Sequence, residues 1–241
     1  MLITVVAFLL SLAQDKPTRV AVYVDKGTSA SLPQVLTALA KQPNLIIERV
    51  MAHDIREGKL DGYDLVVFPG GSGGGEAKAL EESGREKVRQ FVRGGHGYIG
   101  ICAGAYLASS DYSWSLNLLN AKVLDKQHWA RGNGDVTIAF TPAGKALLGS
   151  KDEQVTIAYY QGPLLAPAGK KDLPAYTELA RFTSEIAKKG APKGVMPGTT
   201  AVAAGEFGKG RVVCFSPHPE KTKGLEVFLH NAIAWTQKTS R

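Results

Sequence analysis

Cysteine is scarce in this chain. Two are present in 241 residues, Cys102 and Cys214. Neither stands at zinc-type spacing from another cysteine or histidine, so the sequence calls for no metal. Two cysteines cannot build a disulfide framework either. Aromatic residues are only 8% of the chain, and charged residues 21%. The 29 Lys and Arg against 22 Asp and Glu give a net charge of +7. These positive residues are spread thinly, densest at Arg85 to Arg93 and Lys188 to Lys193. Aromatics are not interleaved with them, so no nucleic-acid partner is expected. No internal repeat or low-complexity tract is present. Only one apolar run is long, Leu2 to Leu12, and it is too short to span a bilayer. Length and a hydrophobic content of 44% suit one compact domain.

Against this plain background one run stands out: Gly97-Tyr98-Ile99-Gly100-Ile101-Cys102-Ala103-Gly104-Ala105-Tyr106. It reads as a buried strand that turns abruptly into a helix. Cys102 sits at the turn, with Gly100 and Gly104 two residues to either side. That is the spacing of a nucleophile elbow, in which a strained turn needs small neighbours and lifts the side chain above a sheet. Helix N-terminal N–H dipoles there favour negative charge.

A nucleophile needs a base, and the base needs an orienting group. Far downstream, Arg211 to Ser216 reads as a buried strand followed at once by Pro217-His218-Pro219-Glu220. His218 and Glu220 lie two apart on an extended segment, so both can face one side. Glu220 would hold the imidazole while its other nitrogen faces Cys102. A third segment, Asp64 to Pro69, is a strand ending in Gly70-Gly71-Ser72-Gly73-Gly74-Gly75. Its N–H groups suit an oxyanion, with Gly71 or Ser72 as one donor and Ala103 of the elbow as the other. The segment has no Gly-Lys-Ser/Thr ending, so a Walker-type phosphate loop is not expected. Cys214, inside an apolar strand, reads as core filler.

In this order the segments resemble the class I glutamine amidotransferase-like superfamily: Pro69-Gly70-Gly71, then the elbow, then His218-Pro219-Glu220. Within it the chain most resembles the biotin-protein ligase N-terminal domain family. That likeness rests on the extended elbow, on Trp129 to Gly134 and on Tyr159-Tyr160-Gln161-Gly162-Pro163. The family usually has Asn at the place of Gln161 and often Gly at that of Pro163. The resemblance implies a flavodoxin-like, class I glutamine amidotransferase-like α/β fold, with a domain over residues 18–241. It implies a Cys102–His218–Glu220 triad acting on an amide or ester carbonyl through a thioester, with no cofactor. It also implies a substrate pocket near Trp129, Arg131, Tyr160 and Gln161, and a small amide-bearing, glutamine-like substrate. No synthetase or biotin ligase segment accompanies the motifs, so the amide stays open and no partner protein is indicated. Two other classes stay in view: a non-catalytic binding or scaffold module, and a redox or stress-response cysteine protein.

The rest of the pattern agrees with a mostly parallel sheet flanked by helices. Strands are expected at Arg19 to Val24, Leu45 to Ile47, Leu65 to Phe68, the elbow and Arg211 to Phe215. Helices are expected over Leu32 to Ala40 and Lys78 to Arg93, and at the C-terminus, where Leu225, Phe228, Leu229, Ala232 and Ile233 form a stripe. Such alternation argues for βαβ units. From Ala121 to Ala204, strands at Val136 to Phe140, Val155 to Tyr160 and Thr177 to Phe182 read as an antiparallel β extension. In open α/β sheets, sites lie at the carboxyl ends of strands, where Gly71, Cys102 and His218 all fall.

The apolar run at the start fits a signal-peptide core, with Ser11 and Ala13 as small residues before a cleavage point. Residues 1–13 are therefore expected to direct export to the periplasm or outside the cell. N-terminal sequencing of the exported protein from a bacterial host is expected to begin at Gln14 or close by; an intact Met1 contradicts the expectation.

Overall fold

The computed structural model describes residues 16–237. The leader segment, residues 1–13, lies outside the described residues. The first half alternates as expected: β1 (Thr18–Tyr23), α1 (Leu32–Ala40), β2 (Leu45–Val50), α2 (Ala52–Arg56), β3 (Leu65–Phe68), α3 (Gly73–Arg93), β4 (Gly97–Ile101) and α4 (Ala103–Ala108). The middle holds β5 (Ala121–Leu124), β6 (Asn133–Phe140), α5 (Pro142–Leu148), β7 (Gln154–Tyr160), β8 (Leu164–Pro167) and β9 (Thr177–Phe182). The chain closes with β10 (Thr200–Phe207), β11 (Gly210–Phe215) and α6 (Val227–Thr236).

One sheet runs through the molecule in the order β2-β1-β3-β4-β11-β10-β9-β6-β7, with β5 and β8 attached beside β10. From β2 to β11 the pairs are parallel. From β11 onward they are antiparallel, which is the expected extension. Alternate residues of the parallel strands feed two cores, because successive side chains point to opposite faces. Val20, Val22, Val67, Ile99, Val213 and Phe215 pack with α1, α5 and α6. Ala21, Tyr23, Val66, Phe68, Tyr98 and Val212 pack with α2, α3 and α4. The stripe of α6 is buried at Phe228, Leu229, Ala232 and Ile233, and His230 Nε2 bonds Ala38 O of α1 at 2.7 Å. Among the described residues, no helix is long and apolar enough to cross a membrane.

Three departures from the expected layout have physical reasons. Helix α3 begins at Gly73, not Lys78, because Ser72 caps it by accepting a hydrogen bond from Gly75 N–H at 3.1 Å. Gly73 to Gly75 are therefore helix, although glycine is a poor helix former. β10 was not expected. Its Ala-rich sequence has weak strand propensity, but both its long edges are paired and nearly all of it is buried. The short elements β5, β8, α2 and α5 carry too few residues to show a period.

The sheet sets the elbow by close contact. A β-carbon at Gly104 would lie 2.3 Å from Phe68 O, and one at Gly100 would lie 2.5 Å from Gly104 O. We expect Gly104→Ala to lose about 1–3 kcal/mol of stability or more through overpacking. Gly74→Ala, whose nearest neighbour would be Trp114 at 3.8 Å, is expected to be neutral or stabilising. Thermal melting of the two variants checks the contrast.

Candidate functional site

Cys102 sits between β4 and α4 with φ 51° and ψ −96°, a backbone region that L-residues seldom occupy. Its N–H donates to Phe215 O of β11 at 2.8 Å, which holds the turn. The side chain is buried in the core that holds β1 and α1, whereas Cys214 lies in the opposite one. Burial pushes the Cys214 thiol far up, and both cysteines are free. The Cys102 thiol donates to Tyr160 O at 3.3 Å.

His218 follows β11 and is 2% exposed. Its N–H donates to Ala158 O at 2.8 Å, tying the segment to β7. Glu220 starts a short 3-10 turn with Pro219, and its Oε1 lies 2.7 Å from His218 Nδ1. His218 Nε2 is buried and has no hydrogen-bond partner among the described residues. A β-carbon at Gly70 would lie 2.7 Å from His218 Cε1 and 3.6 Å from Cys102 Cβ. The imidazole and the thiol thus converge over the bare α-carbon of Gly70. Burial disfavours the imidazolium, but Cys102 and Glu220 outweigh it and raise the His218 pKa to about 9.

Of the three expected oxyanion donors, the structure keeps two free. Gly71 N–H and Ala103 N–H donate no hydrogen bond among the described residues. Ser72 N–H is taken by Gly27 O at 2.7 Å, so Ser72 is not a donor to the site. Sequence could not show this, because Gly27 is distant along the chain. Gly71 is locked by that contact: its φ is 153°, and a β-carbon there would meet Gly27 O at 1.9 Å. The segment at Gly70 to Ser72 is therefore short and braced, and Gly73 to Gly75 belong to the helix that follows it.

Two adjoining cavities meet at Cys102 and share Gly71, Tyr160 and Gln161 in their lining. One, about 290 Å³, is walled by Tyr106, Tyr112, Trp114, Trp129 and Tyr160, with Lys126 and Gln161 at its edge. The other, about 360 Å³, lies toward His218 and is lined by Ser29, Ser31, Asn133 and Lys221. Trp129, Tyr160 and Gln161 line the first of these cavities. Gln161 has φ 63°, and its carbonyl accepts from Tyr106 Oη at 3.2 Å. Arg131 is a correction. It is 1% exposed, paired with Asp125 beneath the Trp129 loop, and lines neither cavity. His128 also turns to Asp125, at 2.6 Å. Asp125 thus holds both side chains, and the guanidinium of Arg131 is buried against it. The aromatic wall at Tyr106, Tyr112 and Trp114 was missed; its one signal was the Tyr112-Ser113-Trp114 pair in an aromatic-poor chain. Among the described residues, no cluster of His, Cys, Asp and Glu is arranged to hold a metal ion.

Glu76 was also missed. It stands in the first turn of α3, fully buried, with neither carboxyl oxygen hydrogen-bonded. Burial first, then Cys102, push its carboxyl well above the usual 4.5. Its folded form therefore keeps a proton that the unfolded chain gives up above that value, and stability declines as pH rises. His218 acts in the same direction. Its contribution is complete below 6.5 and is lost as pH climbs through about 9. We expect these two groups to make the melting temperature fall as pH rises from 4.5 to about 9. Glu76→Gln, which cannot ionise, should shallow the fall below 6.5, and melting curves across pH check this.

Comparison with solved structures finds the same fold. PurLQS from Thermotoga maritima aligns with a TM-score of 0.66 and 18% identity, over 91% of this chain and 99% of that one. A putative GMP synthase component from Thermoplasma acidophilum aligns at 0.60 and 16%, over 90% and 93%. The cold-adapted beta-galactosidase from Rahnella sp. R3 aligns at 0.60 and 15%, over 93% of this chain but 32% of that one. Among curated proteins no sequence match is found. The family model "Biotin-protein ligase, N terminal" matches residues 18–239. With nearly all of its length matched by that model, and the fold of glutamine amidotransferase-like proteins, this chain belongs to the biotin-protein ligase N-terminal family.

Proposed function

We propose that the protein is an exported cysteine hydrolase of amides or esters. The observation that carries the reading is His218. One ring nitrogen is held 2.7 Å from Glu220, and the other is buried, unpartnered and beside Cys102. A buried imidazole nitrogen left without a partner is costly unless a function uses it. In this reading Cys102 attacks the carbonyl and His218 Nε2 takes its proton. Glu220 fixes the ring and balances the imidazolium. Gly71 N–H and Ala103 N–H receive the oxyanion, and the strained backbone at Cys102 aims the sulfur. With its pKa raised to about 9, His218 holds the proton taken from Cys102 near neutral pH and donates it to the leaving group. A second reading, a non-catalytic module, draws on the Rahnella enzyme, in which the matching part is 32% of a longer chain.

Brief iodoacetamide treatment is expected to label Cys102 and spare Cys214, whose side chain is fully buried. In a screen of amides and esters, Cys102→Ala should abolish turnover. His218→Ala should cost on the order of a thousandfold, and Glu220→Gln less, since it keeps the shape. The alkaline limb of kcat/KM is expected near pH 9 and should vanish with His218→Ala. Full activity in Cys102→Ala would remove the cysteine mechanism, and no turnover of any amide or ester by the wild-type protein, with a ligand still bound in the cavity, would give the site to the binding-module reading.

A further inference from the structure

The two cavities that meet at Cys102 differ in chemistry, and the mechanism assigns each a part of the substrate. His218 lies on the side of the polar cavity, with Ser29, Ser31, Asn133 and Lys221. The leaving nitrogen must receive its proton from His218, so the leaving group occupies that side. The acyl group then points the opposite way, into the cavity walled by Tyr106, Tyr112, Trp114, Trp129 and Tyr160. Tyr112 and Trp114 stack face to face, their ring centroids 4.5 Å apart, and form a layered aromatic wall. Trp129 is 55% exposed and Tyr160 41%, and they stand at the mouth. Large exposed rings around a concave site suit a flat apolar ligand.

Charge narrows the choice. Among the described residues, no Asp or Glu lines either cavity. The Lys126 ammonium lies 4.8 Å from the Tyr112 ring, and that of Lys221 4.4 Å from the Tyr160 ring. Cations already face these rings, so a ligand ammonium would meet like charge. Free glutamine would bring its ammonium into the aromatic cavity with no carboxylate to receive it. Lys126 is paired with Asp111 at 2.8 Å, whereas Lys221 makes no ion pair among the described residues. The free cation therefore sits on the leaving-group side. That side opens to about 360 Å³, more room than ammonia needs.

We infer that the substrate is an amide with an aromatic acyl group and a carboxylate-bearing amine, that is, an N-aroyl or N-arylacetyl amino acid. The inference rests on the cysteine hydrolase reading and narrows it. The bond from Cys102 sulfur to the acyl carbon forms with the thiol proton already carried on His218 Nε2. The carbon–nitrogen bond breaks as Nε2 gives that proton to the amine. Water then attacks the thioester, one proton returns through Nε2 to the sulfur, and an aromatic carboxylic acid leaves. The sum is amide plus water to acid plus amine, with no oxidant or co-reactant.

The test compares N-benzoylglycine, N-acetylglycine, neutral N-benzoylethanolamine and glutamine on the purified protein, with p-nitrophenyl acetate as a probe of the thiol. For N-benzoylglycine, kcat/KM should exceed that for N-acetylglycine and for glutamine by about tenfold or more. Trp114→Ala should lower the benzoyl-to-acetyl ratio severalfold. So should Trp129→Ala, whose exposure leaves folding intact. Lys221→Ala should erase the preference for N-benzoylglycine over N-benzoylethanolamine. If p-nitrophenyl acetate acylates Cys102 but benzoyl shows no advantage, or glutamine is turned over faster, the inference falls and the hydrolase reading stands. If Lys221→Ala keeps the glycine preference, the placing of the carboxylate is wrong. If nothing acylates Cys102, the ester included, both readings fall.

Discussion

The close approach of three neighbouring strand ends is the constraint on which this site depends. Gly104 must pass within touching distance of Phe68 O, Gly100 must lie against the Gly104 carbonyl, and Cys102 N–H must reach Phe215 O. These contacts tie β3, β4 and β11 together at their carboxyl ends. Together they hold Cys102 in a backbone conformation that costs roughly 1–3 kcal/mol on its own. Parallel pairing of β4 with both β3 and β11 makes the contacts cooperative, since each strand end is fixed by its register.

Electrostatics then divide the buried polar groups into two kinds. Glu220 and His218 satisfy one another, and Arg131 is paired with Asp125. Glu76 has no partner at all, and stays buried because it keeps its proton. The sheet thus carries a neutral acid on the side of α3 and an ion-pairing couple on the side of β11. Cys102 lies between them and influences both. A thiol flanked by two groups that favour holding protons stands where proton movement is easily arranged.

The family match and the structural likenesses give the fold and the kinship. The particular chemistry of this chain rests on its own residues. The aromatic wall arises because α4 runs directly into a loop bearing Tyr112 and Trp114. Ser109 Oγ and Ser115 Oγ bond to each other at 3.3 Å and hold that loop against the helix. Across the cleft, Tyr106 Oη holds the left-handed Gln161, and Gly162 fits against Ser216 O, where a β-carbon would lie at 2.0 Å.

The elbow, the strand before His218 and the amphipathic helices were legible because each is local. Their signals are a fixed spacing of glycines around Cys102, an unbroken apolar run, and the period of Leu32 to Leu39 or Phe228 to Ile233. Sequence by itself therefore determined the parallel half, the antiparallel extension and the pairing of His218 with Glu220. What only the tertiary structure decided depends on residues far apart along the chain. Gly27 O removes Ser72 from the donors, and Asp125 turns Arg131 inward although a guanidinium reads the same whether it lines a pocket or is buried under one. β10 becomes a strand because partners on both sides satisfy its backbone, whatever its alanines prefer. Burial turns Glu76 from an ordinary helix-start acid into a protonated one. Hydrogen-bond partnership and desolvation are properties of the assembled neighbourhood, and no local spacing encodes them.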